Sequence, residues 1–129
     1  MIFDEALKTL ITSDPGFVQL AESRLYPLII PQDATLPAVA FQEIGADPLH
    51  AHDGPNDLMV TRIQFTLDAK SSREVKTLAK VLRGILDGYK GTVGGIQITS
   101  ILWENEIDGY GASSEVPTIR QDYKIKYKE

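Results

Sequence analysis

The sequence predicts an α+β domain in which an antiparallel sheet of about four strands packs against one long helix, with further helices at the N-terminus. Two patterns and one arrangement carry that expectation. Val75, Leu78, Ala79, Leu82, Ile85 and Leu86 recur at helical spacing and make one apolar stripe. Two segments, Met59–Leu67 and Ile119–Tyr127, alternate apolar and polar residues, as half-buried antiparallel strands do. The strand patterns also come in pairs joined by polar loops, which favours hairpins over crossovers. At 129 residues the chain is one domain, 1–129, able to bury roughly two-thirds of its unfolded surface without a disulfide or metal.

Taken from the N-terminus, Phe3, Ala6, Leu7, Leu10 and Ile11 predict a first helix that stops at Ser13-Asp14-Pro15-Gly16. Asp14 caps a second, short helix with Pro15 in its first position and Phe17, Val18, Leu20 and Ala21 along it. Pro27, Pro31 and Pro37 then imply an irregular, extended passage. A strand follows from Val39 to Gly45, and a polar loop from Gly45 to Asp57. Ser71 and Glu74 have the spacing of a capping box at the start of the long helix, and Gly88 is placed to end it. Gly91-Thr92-Val93-Gly94-Gly95 reads as a connecting turn. Ile96, Ile98 and Leu102 line one side of the next strand, with Ile101 and Trp103 on the other. Asp108 to Glu115 is a second polar loop before the closing strand.

Composition removes whole classes of function. With no cysteine there is no disulfide, thiolate zinc site or cysteine nucleophile. A net charge of −5 repels DNA on average, so no sequence-specific nucleic-acid contact is expected. No apolar run approaches the roughly 20 residues that span a bilayer, so no membrane partner is expected either. The acidic start Met1-Ile2-Phe3-Asp4-Glu5 lacks the positive segment of a signal peptide, which implies synthesis in the cytoplasm.

The search for chemistry returns weak candidates. His50, His52 and Asp53 make the one cluster resembling a metal site, but structural zinc takes four ligands and the chain has no third histidine. The bland reading, a solvated loop, is favoured, and no metal or cofactor is expected. Asp4, Glu5, Asp14, Glu22, Asp33, Glu43 and Asp47 are scattered, with nothing pairing them across a substrate. Neither Ser71-Ser72 nor Ser113-Ser114 sits in a nucleophile elbow, and the glycine-rich turn lacks the lysine of a phosphate loop. No catalytic residue is assigned. Arg120, Lys124, Lys126 and Lys128 project from one face of the last strand, with the tyrosines on the other. They read first as edge lysines that block aggregation, second as a contact for an acidic partner.

Several blocks carry a family resemblance. Arg24-Leu25-Tyr26-Pro27, Pro31-Gln32 and Leu36-Pro37-Ala38-Val39-Ala40-Phe41-Gln42 resemble the first half of the tail-completion (tail-terminator) proteins of long-tailed bacteriophages. Asp53-Gly54-Pro55 before Arg62-Ile63-Gln64-Phe65, the helix from Ser72 to Leu86, and Thr118–Ile125 resemble the later blocks, in order. Thr66-Leu67-Asp68-Ala69-Lys70 departs from an aromatic-rich stretch common in that family and reads as drift at a strand end. The resemblance implies a structural virion protein, not an enzyme. It would form a homo-oligomeric ring, sixfold by that resemblance, at the head-proximal end of the tail. There it would end tail-tube polymerisation and join the tail to the head connector. Its partners would be its own copies, the tail-tube protein and the head-connector protein. Its location would be the virion tail of a phage or prophage, after synthesis in the host cytoplasm. The rival readings are a head-completion or neck adaptor, a small metal-dependent hydrolase using His50, His52 and Asp53, and a bacterial protein sharing the fold. Asp53, Gly54, Pro55 and Trp103 are the expected partner contacts. Trp103 lies out of phase with Ile96, Ile98 and Leu102, so it either faces away from the long helix as an interface anchor or covers a second small core.

The metal question is open to direct test. Zinc or a chelator is expected to leave the melting temperature of the protein unchanged. A shift with zinc that disappears in a His50→Ala, His52→Ala double variant would restore the hydrolase reading.

Overall fold

A computed structural model describes residues 2–48, 58–110 and 116–129. Helix α1 runs Phe3–Thr12 and α2 runs Pro15–Ala21. The α1 terminus is closed by Glu5, whose Oε1 accepts from the Ile2 amide at 3.0 Å. Asp14 caps α2 as expected, accepting from the Phe17 amide at 3.1 Å with Pro15 at the first position. The long helix α3 spans Ser72–Leu86 and buries Val75, Leu78, Ala79, Leu82 and Leu86. Ser71 Oγ accepts from the Glu74 amide at 3.1 Å, but the Glu74 carboxylate reaches the Lys70 amide rather than that of Ser71. Past the helix end Gly88 takes φ +82, where a side chain would be strained, and its amide donates to Ile101 O at 2.9 Å.

The sheet has six strands where about four were expected. Its members are β1 (Leu25–Pro27), β2 (Ala38–Pro48), β3 (Leu58–Asp68), β4 (Gly91–Val93), β5 (Ile96–Tyr110) and β6 (Pro117–Lys128). Their spatial order is β1-β2-β3-β6-β5-β4. All neighbours are antiparallel except β1 and β2, which pair in parallel from Leu25 opposite Val39 to Pro27 opposite Phe41. The two extra strands have three residues each, too few to show alternation. β1 lies in the proline-punctuated passage expected to be irregular, and β4 in the segment expected to be a turn; the turn itself is Gly94-Gly95, both at positive φ.

The expected polar loops are also shorter than their composition implied. β2 continues through Gly45 to Pro48, pairing as far as Met59, and β5 continues through Asp108 to Tyr110. At residues 42–45 and 102–109, where side chains are described, these arms bury little on either face, so the ladder persists after the hydrophobic signal has faded. The rest of both loops, including His50, His52, Asp53, Gly54 and Pro55, lies outside the described residues.

All three helices cover one face of the sheet. On that face Phe3 stacks on Tyr127 at 4.1 Å between ring centroids, and Phe65 meets Tyr123 edge-on at 5.5 Å. Arg24 fastens the entrance to the sheet: its guanidinium donates to Leu20 O at 3.3 Å and Pro37 O at 2.9 Å, joining α2 to the start of β2.

Leu82 is buried at the centre of the α3 stripe. Leu82→Asp should cost about 3–5 kcal/mol in denaturant unfolding, because it strands a charge against the sheet. Lys80→Asp, on the exposed side of the same helix, should change stability by less than about 0.5 kcal/mol. Equal effects would mean that α3 is not docked through this stripe.

Candidate interaction surface

Among the described residues no helix lies on the other sheet face, although its β2 end is closed off, with Ala38 and Ala40 buried; pairing sets out its side chains in cross-strand rows. Leu102 on β5, Lys124 on β6 and Arg62 on β3 form one row. Asn105, Asp122 and Gln64 form the next, and Ile107, Arg120 and Thr66 the one after. Gln64 Nε2 donates to Asp122 Oδ1 at 2.9 Å, leaving that carboxylate charged, and Arg62 pairs with Glu104 at 3.0 Å. Among the described residues Arg120, Lys124 and Lys126 enter no ion pair. Beside these cations Leu102 and Ile107 are 51% and 52% exposed. The cations share a face opposite the buried tyrosines, as expected, but β6 lies between β3 and β5. These lysines therefore do not guard a sheet edge.

At the other side of the sheet, the turn after β1 presents a second apolar group. Leu28 and Ile29 are 67% and 74% exposed, with Asp33 exposed farther along the same loop. Leu28 holds φ +70, costly for a residue with a side chain, and its amide donates to Phe41 O at 2.9 Å. Beneath the loop is a cavity of about 360 Å³ lined by Ile29, Pro31, Leu36, Asp68 and Val116. Thr118 Oγ1 donates to the Asp68 carboxylate there at 2.7 Å.

Trp103 stands differently from either sequence reading. A bulge between Ile98 and Ser100 inserts Thr99, so Ile101 and Trp103, not Leu102, share the helix-covered face. The Arg83 guanidinium of α3 lies 4.7 Å from the indole centroid, and the Trp103 amide donates to the Asp87 carboxylate at 3.1 Å. The ring is 38% exposed and rims the core beside the end of α3; it does not lie on the open face.

A buried polar knot joins the layers. Gln121 Nε2 donates to Ala79 O on α3 at 3.0 Å and to Glu106 on β5 at 2.7 Å, while its Oε1 accepts from the Tyr123 hydroxyl at 2.9 Å. Sequence reasoning passed over Gln121 as a functional residue, although a glutamine in the apolar phase of β6 was the available signal. Burial, with Glu106 adding to it and Arg83 opposing, holds the Tyr123 hydroxyl well above the ordinary tyrosine range. Burial, and then Glu43 nearby, raises the Asp4 carboxyl.

Four of the seven scattered carboxylates are used locally: Glu5 and Asp14 close helices, Glu22 pairs with Arg24, and Glu43 accepts from Thr61. Among the described residues no three His, Asp or Glu side chains gather as metal ligands, and no helix is long and apolar enough to cross a membrane.

Comparison with known proteins supplies the family. The family model described as Tail completion protein gp17 matches residues 5–128. No curated protein matches the sequence. A chain in a structure described as the virion of a native gene transfer agent (GTA) particle superposes with a TM-score of 0.75. The match covers 98% of this chain and 95% of that one at 11% sequence identity, a likeness of fold.

The Gln121 knot has a pH signature. A folded-state proton affinity raised above the unfolded tyrosine value of 10.0 gives Tyr123 a contribution complete below that pH and lost as pH rises beyond it. The melting temperature should therefore fall above about pH 10, and Tyr123→Phe should lessen that slope, leaving the smaller share from Tyr127. Identical slopes for parent and variant would remove Tyr123 from the account.

Proposed function

Given that the chain belongs to the tail completion protein gp17 family, and is thus a bacteriophage virion structural protein, we propose that it closes the head-proximal end of the phage tail. In this reading copies join head-to-tail into a ring, sixfold by family resemblance, that stops tail-tube polymerisation and presents a surface to the head connector. The observation that carries it is the family match over residues 5–128. The open sheet face and the exposed loop after β1 are compatible with it, since a subunit between tube, connector and neighbours needs several distinct contact surfaces. Asp53-Gly54-Pro55 is proposed as a partner contact, as is the exposed rim of Trp103 beside Arg83. Synthesis takes place in the host cytoplasm before incorporation into the virion.

The test mixes purified protein with polymerising tail-tube subunits. Tubes of uniform length with this protein at one end are the expected product. Failure to bind tube ends, together with normal tails in a phage lacking the gene, would sink the assignment. Co-assembly with portal protein instead of tube protein would move it to the neck-adaptor role.

A further inference from the structure

Two exposed apolar pairs belong to different parts of the chain: Leu28 and Ile29 to the loop after β1, Leu102 and Ile107 to β5. All four side chains keep at least half of their surface exposed, so neither pair covers the other within one copy. Each carries a charge of opposite sign. Asp33 is exposed in the Leu28 loop, and Arg120 stands directly opposite Ile107 on β6 without an ion pair among the described residues. With a net charge of −5, two copies repel at long range. Close association therefore needs a local match of this kind.

We infer that the Leu28–Asp33 loop of one copy docks on the open β5–β6 face of the next, placing Leu28 and Ile29 against Leu102 and Ile107, and Asp33 against Arg120. The occupant is a second copy of this chain, because the chain itself supplies both halves in complementary chemistry. Taken head-to-tail, each copy gives one patch and receives the other, which is the geometry that closes rings. This contact rests on the ring proposed above and names the surfaces that would form it. Leu28, held at φ +70 by the Phe41 carbonyl, is fixed outward before any partner arrives.

Charge reversal tests it. Asp33→Lys and Arg120→Glu are made singly and together, and ring formation at tube ends is followed by electron microscopy and analytical ultracentrifugation. Each single reversal should raise the concentration needed for assembly by about tenfold or more. The double variant, in which the exchanged charges again meet as opposites across the contact, should return towards the parent. Ile29→Glu should also impair assembly; its side chain is 74% exposed, so its melting temperature should match the parent and exclude misfolding. If the parent forms rings and the single reversals do so equally well, or the double variant is no better than the singles, this contact is wrong while the ring stands. If the parent forms no ring under any condition, the ring and this contact fall together.

Discussion

Everything in this fold depends on a one-sided sheet. α1, α2 and α3 all pack on the same face, and the apolar phases of β3, β5 and β6 point towards them. Alternation along a strand then forces the other residues outward, where no helix waits. The domain consequently has one face that makes the core and one that carries no helix. The α3 stripe holds the first face closed. Where apolar packing would leave the layers free to slide, the Gln121 knot adds direction, because its bonds to Ala79 O, Glu106 and Tyr123 are satisfied together only when α3, β5 and β6 are in register.

The parts visible in the sequence were those where burial repeats along an element. The α3 stripe, the Asp14 cap and the alternation of β3 and β6 were each written in residue type and spacing. The three-residue strands β1 and β4 were not, because a backbone ladder formed by a neighbour leaves little trace in so short a stretch. The outer arms of β2 and β5 resemble loops in sequence for a related reason: both are paired, yet residues 42–45 and 102–109, whose side chains are described, bury little surface.

Phase was the subtler loss. A period-two pattern is reliable only until an extra residue enters, and β5 carries irregularities at Ile98/Ser100 and at Trp103/Asn105. The first of these exchanges the faces of Leu102 and Trp103, so the tryptophan expected either as an interface anchor or over a second small core rims the main core beside Arg83, while the leucine placed with Ile96 and Ile98 is the exposed residue. For the lysines of β6 the difference lies in topology, not chemistry. Their outward direction followed from alternation, but whether a strand is central or at an edge depends on pairing between distant segments.

The same constraints explain why an acidic protein presents a cationic face. Asp and Glu near helix starts or beside partners are consumed locally, as at Glu5, Asp14, Glu22 and Glu43. On the open face Asp122 and Glu104 are also engaged, by Gln64 and Arg62. What remains unpaired there among the described residues is Arg120, Lys124 and Lys126, so the local field of the face is opposite in sign to the net charge of the chain. Such segregation gives a subunit direction: like faces repel, unlike faces attract, and the wrong pairing is disfavoured before close contact begins. A ring needs that directionality more than it needs strong individual contacts, since closure lets each interface support the others. Gln121, Glu106 and Tyr123 hold the layers in register, while the half-buried cations of the open face keep their charge.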